Sequence, residues 1–196
     1  QTVRARGGTP IVDEIYHGLT YGFDARTALE ISDDIIIINS FSKYFGMTGW
    51  RLGWLVVPPR LVRDIEKLAQ NLYIAPSAPA QHAALAAFAP ETLAICETRR
   101  AEFKARRDLL LPGLRKIGFD IPVEPQGAFY IYAGIGDLDT DSYRLADRLL
   151  NQAGVAATPG LDFGNNAPGQ HMRFAYTVAA DKLATGLERM SALLGG

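Results

Sequence analysis

Ile35-Ile36-Ile37-Ile38-Asn39-Ser40-Phe41-Ser42-Lys43-Tyr44-Phe45-Gly46-Met47-Thr48-Gly49-Trp50-Arg51-Leu52-Gly53-Trp54 is the stretch on which the reading of this chain turns. Its four isoleucines lack polar alternation, which suits a strand covered on both faces, as in parallel α/β sheets. The run ends at Asn39-Ser40, and a second apolar run, Leu52 to Val57, stops at Pro58-Pro59. Upstream, Pro10-Ile11-Val12 makes a shorter run that halts at two acids, Asp13 and Glu14. Three such runs predict a parallel or mixed sheet. In open parallel sheets ligands gather outside the carboxyl ends of the strands. Asp13 falls just past the first strand and Ser40 to Lys43 just past the second, so both loops are expected to face one crevice.

Working outward, the composition narrows the class of protein. The 196 residues carry 20 Lys plus Arg against 21 Asp plus Glu, a net charge of -1, and are 48% hydrophobic. That describes a soluble globular chain of one or two domains, with enough length for a sizeable core. It argues against nucleic acid as a partner, because a phosphate-binding face needs clustered basic residues in excess. No run approaches the ~18 uninterrupted apolar residues of a membrane span. The single cysteine, Cys96, excludes an internal disulfide and fits a reducing, cytoplasmic compartment. The sequence opens on Gln1 without an initiator Met, and is expected to be a piece of a longer protein.

Beyond Pro59, Leu61, Ile65, Leu68 and Leu72 recur at helical spacing, and an Ala-rich helical stretch follows over Gln81 to Phe88. From Glu91 to Ile117 the stripe Cys96, Phe103, Leu110, Leu114, Ile117 keeps helical spacing for about seven turns, with Pro112 expected to bend or restart the helix. After Gly118 the texture changes. Ala128 to Ala133 alternates as a strand, Met172 to Thr177 is another, and Asp141 to Ala153 and Ala180 to Leu194 each show one apolar helical face. The expected organisation is residues 1–95 as the end of a large α/β domain, 96–118 as a long linking helix, and 119–196 as a small α/β domain.

The Lys43 loop, preceded about thirty residues earlier by Asp13-Glu14-Ile15-Tyr16, resembles the pyridoxal-phosphate enzymes of fold type I, specifically the class I and II aminotransferases of the aspartate aminotransferase family. The resemblance continues through Gln126-Gly127-Ala128-Phe129-Tyr130, through Gly154 to Gly160 and on to Phe163-Gly164, and through Met172-Arg173-Phe174-Ala175. It implies the C-terminal portion of that fold: part of a mostly parallel, three-layer α/β/α large domain, plus a small α/β domain. It also implies pyridoxal 5'-phosphate as cofactor, an amino acid and a 2-oxo acid as substrates, a role in amino-acid metabolism and biosynthesis, and a homodimer.

Residue by residue, Lys43 is similar to the lysine that holds the cofactor as a Schiff base and then moves the substrate's α-proton, which an amine does only in its neutral form. Taken singly it would read as a solvated loop lysine. Asp13 resembles the aspartate paired with the pyridine nitrogen, where a carboxylate keeps the ring protonated; the plain alternative is a turn or cap residue. Tyr16 resembles the tyrosine that donates to the ring's phenolate oxygen. Arg51, eight residues after Lys43, resembles the arginine that binds the cofactor phosphate through two parallel donors. Ser40 matches the family's phosphate-binding serine, and Ser42 joins it or is only a turn hydroxyl. Arg173 resembles the arginine that grips the substrate carboxylate, against the alternative of an edge-strand arginine facing water.

His17, His82 and His171 show no metal-ligand spacing, so no metal is expected. Trp50 and Trp54 are expected to pack beside the lysine loop. Family members carry a Gly-rich phosphate loop, a ring-stacking aromatic and an asparagine upstream of the aspartate; none falls within this sequence, so these 196 residues alone are expected to bind the cofactor weakly or not at all. The region Asn71 to Pro79 matches the one that approaches the partner's cofactor. Two other readings share these motifs: a carbon-sulfur or β-lyase, and the aminotransferase-like effector domain of a transcription regulator.

Overall fold

The computed structural model describes residues 2–195, so Gln1 and Gly196, the outermost residues of the expected first and last segments, lie outside them. The chain forms two compact units that divide between Arg100 and Ala101.

The first unit holds helix α1 (Thr2–Ala5), strands β1 (Ile11–Asp13), β2 (Ile36–Ser40) and β3 (Gly53–Val56), helices α2 (Pro59–Leu72) and α3 (Ala78–Ala87), and the start of α4 (Pro90–Ile117). β1 lies parallel to β2 with Asp13 opposite Ile38, and β3 runs antiparallel to β2 with Gly53 opposite Ser40. The sheet is therefore mixed. Pro58 and Pro59 close β3 and open α2, because the first turn of a helix needs no amide donor. The isoleucine run is covered unevenly: Ile35 and Ile37 are buried on one side, whereas on the other Ile36 is half-buried and Ile38 is 37% exposed, and Ile11 of the neighbouring β1 is 62% exposed. Phe41, Met47, Ala84 and Ala87 form the core beside the lysine loop, with Phe45, Leu52 and Trp54 against it. The alanines of α3 let the ring of Phe41 sit 5.1 Å from both Phe45 and Trp54. Trp50, in the tight turn Thr48–Trp50, does not join them and is 48% exposed.

α4 runs through Pro112 without a break, although a helix proline forfeits one backbone bond and crowds the preceding turn. Burial outweighs that penalty, since Leu110, Leu111 and Leu114 around the proline are all buried.

The second unit adds β4 (Tyr130–Gly134), α5 (Ser142–Arg148) running on into a π turn at Leu149–Ala153, β5 (Thr158–Pro159), β6 (His171–Ala175) and α6 (Ala180–Leu194). The strands order as β4-β6-β5, both pairings antiparallel, with Arg173 between Tyr132 and Thr158. Along β6, Met172 and Phe174 are buried, so the period of two turns Arg173 to the opposite face. Leu145, Leu149, Ile131, Met172, Tyr176 and Met190 fill the core. Ahead of α5, the buried Asp139 carboxylate takes hydrogen bonds from Arg144, from Arg148 Nη1 at 2.9 Å and from the Thr140 amide at 2.7 Å. The Arg144 bonds, helped by Arg148 and the Asp141 and Thr140 amides, hold Asp139 well below the usual carboxylate range against the opposing effect of burial.

Candidate active site

In the first unit the chemistry-bearing residues stand at the carboxyl ends of β1 and β2. Asp13 ends β1, and its Oδ1 accepts the Ile15 amide at 3.0 Å. This is the turn role that an Asp after a strand usually takes, and Oδ2 keeps no partner among the described residues. The turn that follows is fixed from beneath by Glu14, whose buried carboxylate accepts the Ala28 amide at 2.7 Å and the Thr27 hydroxyl at 3.0 Å. That turn presents Tyr16, and Lys43 Nζ stands over the Tyr16 ring, 5.7 Å from its centroid.

The lysine loop is closed by its own backbone. The Phe41 amide bonds Leu52 O at 3.1 Å, the Met47 amide bonds Phe41 O at 2.9 Å, and the Gly46 amide bonds Lys43 O at 3.0 Å. Ser40 Oγ accepts the Ser42 amide at 2.9 Å and donates to Leu52 O at 3.3 Å, so both serines belong to the turn geometry. Thr48 Oγ1 donates to Ser42 O at 2.7 Å, and Arg51 Nη1 donates to Thr48 O at 3.0 Å. Arg51 holds the left-handed conformation, φ 53° and ψ 49°, which costs a non-glycine residue about 1–3 kcal/mol. Its guanidinium is exposed and meets no acid among the described residues. Ser40, Ser42, Lys43 and Arg51 are thus gathered on one loop, with Tyr16 facing it.

Next to Lys43, the Tyr44 hydroxyl donates to Glu97 Oε1 at 2.7 Å. Arg100 Nε donates to Glu97 Oε2 at 2.8 Å, and Arg100 Nη1 to Thr20 O at 2.9 Å. Burial, and the Glu97 carboxylate it donates to, push the Tyr44 phenol up; the Arg100 and then the Tyr44 hydrogen bonds pull Glu97 down.

The seventh predicted residue, Arg173, lies in the second unit. Its guanidinium carbon is 4.3 Å from the Tyr130 ring centroid and 4.2 Å from the Phe163 centroid. Its Nε is buried without a hydrogen-bond partner, and no acid pairs with it among the described residues. An arginine held against two rings with its donors unfilled has the chemistry to receive a planar anion such as a carboxylate. Phe163 is itself braced edge-on by Tyr132 at 6.1 Å, and Tyr132 stacks on His171 at 5.1 Å. The turn Gly160–Phe163 that delivers Phe163 needs its glycine: a Cβ at Gly160 would lie 2.4 Å from Pro168 O and 2.8 Å from His171 O.

Sequence reasoning missed the ring clamp and the Tyr44–Glu97–Arg100 chain. Tyr130 had a signal in its strand alternation, whereas Glu97 lies 53 residues from the tyrosine it binds. Among the described residues no three His, Cys, Asp or Glu side chains are grouped to hold a metal ion, and no helix is long and apolar enough to cross a membrane.

Residues 1–190 match the family model described as aminotransferase class I and II. A valine–pyruvate aminotransferase from Mycobacterium tuberculosis is 41% identical over 94% of this chain, and a (5-formylfuran-3-yl)methyl phosphate transaminase from Methanocaldococcus jannaschii is 36% identical over 94%. A crystal structure of an aminotransferase from Mycobacterium tuberculosis superposes with a TM-score of 0.93 at 39% identity, covering 98% of this chain and 50% of its own. The chain spans about half the length of the curated relatives it matches, 48% and 49% for these two.

Proposed function

The chain belongs to the class I and II aminotransferases, and on that premise we propose that the whole protein moves an amino group from an amino acid to a 2-oxo acid, with pyridoxal 5'-phosphate as cofactor. The observation that carries the reading is the Lys43 amine standing over Tyr16 at the ends of two parallel strands, on a loop that also bears Arg51.

The donor set fits the cofactor's chemistry. Lys43 supplies the amine for its aldehyde, Tyr16 a hydroxyl for its ring oxygen, and Asp13, with Oδ2 unfilled, a carboxylate for its ring nitrogen. Arg51 and the hydroxyls of Ser40 and Ser42 are the groups for its phosphate, with Arg51 exposed and unpaired by acid. When bound, the cofactor supplies a ring that draws electrons away from the substrate's α-carbon. Lys43, as neutral amine, carries the proton from and to that carbon. Asp13 keeps positive charge at the ring nitrogen by accepting its proton's hydrogen bond. Arg173, clamped by Tyr130 and Phe163, orients the substrate through its carboxylate.

The same reading makes the whole protein a cytoplasmic homodimer that serves amino-acid biosynthesis. Cys96, unpaired and buried, suits a reducing compartment. For the dimer, the support is an apolar surface at the end of α2 and just beyond it, where Leu72 is 77% and Ile74 83% exposed, in the segment that resembles a partner-facing one.

Borohydride reduction of the whole protein followed by peptide mapping tests the assignment. The expected adduct is on Lys43, and an adduct confined to another lysine overturns it. Amino transfer is checked by incubating the protein and cofactor with pairs of amino acids and 2-oxo acids. A monomeric mass for the active protein would refute the dimer.

A further inference from the structure

Lys43 and Tyr16 come from different loops, so something must fix the distance between them. Neither strand end does this alone, because each residue sits three positions beyond its strand, Asp13 ending β1 and Ser40 ending β2. A closed circuit of contacts does it through Tyr44. The Tyr44 hydroxyl donates to Glu97 on α4 at 2.7 Å, and Arg100, one turn further along, bonds the same carboxylate. Arg100 then reaches back 2.9 Å to Thr20 O, at the far end of the turn that bears Tyr16. The ring of Tyr44 completes the circuit. It lies so close to Gly18, two residues after Tyr16, that a Cβ there would stand 2.6 Å from Tyr44 Cδ2, and Gly18 holds φ +88°.

We propose that Tyr44, pinned by Glu97 and Arg100, is a positioning residue that sets the Lys43 amine against the Tyr16 ring. Tyr44 acts by tying the lysine loop to the Tyr16 turn and both to α4. The circuit stays in one form across the working pH range. The phenol is pushed up by burial and by Glu97, and Glu97 is held down chiefly by Arg100, so the donor keeps its proton while the acceptor keeps its charge. Removing the hydroxyl frees Lys43 to shift relative to Tyr16. Misplacement by about 1 Å at a reacting centre costs up to about a hundredfold in rate, and a partial release about tenfold.

The inference rests on Lys43 as the cofactor lysine, so the whole protein is first mapped by borohydride reduction. An adduct elsewhere removes the premise and overturns the inference with it. With the adduct on Lys43, Tyr44→Phe, Glu97→Gln and the double variant are each compared with the unsubstituted protein. The pH titration of the absorbance of the lysine–cofactor linkage is followed together with kcat, KM and Tm. Expected are a midpoint moved by about half a pH unit, because the Tyr16 hydroxyl no longer meets the linkage in register, and kcat down about tenfold with KM within about twofold. Tyr44 and Glu97 act through one bond, so the double variant should be no worse than the weaker single one. A titration midpoint and kcat that match the unsubstituted protein in both single variants, with only Tm lowered, would mean that Tyr44 merely supports the fold, and the proposal fails. Losses that multiply in the double variant would also overturn it, since the two side chains would then act separately. Should Tyr44→Phe fold poorly, Glu97→Gln alone carries the same test, because it leaves the packed ring in place.

Discussion

Replacing Arg173 by Lys is the sharpest test of the small unit's role. The substitution keeps the positive charge and removes two things that the structure puts there. The first is the contact of the planar guanidinium with the Tyr130 ring at 4.3 Å and the Phe163 ring at 4.2 Å, which holds the side chain in place before an anion arrives. The second is the pair of parallel donors that a planar carboxylate uses, of which an ammonium offers one, and a hydrogen bond to a charged group is worth about 1.5–3 kcal/mol net. The lost donor weakens the binding of a substrate carboxylate by about 1.5–3 kcal/mol, or about 12- to 160-fold in kcat/KM. The assay is single-turnover amino transfer by the whole protein, run with an amino acid and with the matching amine that lacks the carboxylate. The loss should appear for the amino acid and be nearly absent for the amine. A change below threefold for the amino acid, or an equal loss for both substrates, would refute the carboxylate role of Arg173.

Gly160→Ala should lower stability and function together. Its Cβ would meet the Pro168 and His171 carbonyls at 2.4 and 2.8 Å, so the backbone must shift, at about 1–3 kcal/mol, and carry Phe163 off Arg173; thermal unfolding and the KM for amino acid should both change. Asp139→Asn should lower Tm at neutral pH by an amount that reflects about 1–3 kcal/mol, because the buried carboxylate exchanges charged hydrogen bonds with Arg144 and Arg148 for neutral ones. The folded Asp139 titrates below its unfolded value of ~3.9, so its contribution is complete above that pH and is lost as pH falls. The Tm gap between the two proteins should therefore hold from neutral pH down to about 5, begin to narrow below about 4 and keep narrowing as the pH falls further towards the depressed folded value.

How much of this was legible in the sequence depends on the range over which each cause acts. Periodicity is local, and helix α6 over Ala180–Leu194 and strand β6 around Arg173 could be placed from it. Tertiary burial is not local. Pro112 obeys a local rule that predicts a bend, and buried leucines on either side outweigh it. The isoleucine run predicts cover on both faces, yet a residue run cannot say whether the second layer lies within the same stretch of chain, and Ile38 is left 37% exposed. At the site, the residue types of the lysine loop stood out because a lysine, two serines and an arginine within twelve positions serve no single packing purpose. The ring clamp on Arg173 is a pairing of Tyr130 with Phe163, and Phe163 lies in a Gly- and Asn-rich turn without period.

The two arginines carry one physical theme. Arg51 sits at φ 53°, where glycine or asparagine would be less strained, and Arg173 buries Nε without an acceptor. Each is a local loss of about 1–3 kcal/mol, which a chain shaped for stability alone would avoid by placing Gly at one position and an apolar residue at the other. Neither loss is offset by an acid among the described residues, although Arg100, Arg144 and Arg148 all find one. A guanidinium without an acid partner is electrostatically ready for an anion. One such group stands on the lysine loop of the first unit and one against two rings in the second, so each unit offers a guanidinium without an acid partner among the described residues. Strengthening either arginine with a nearby acid would therefore raise the stability of its unit and lower the affinity for the anion it seats.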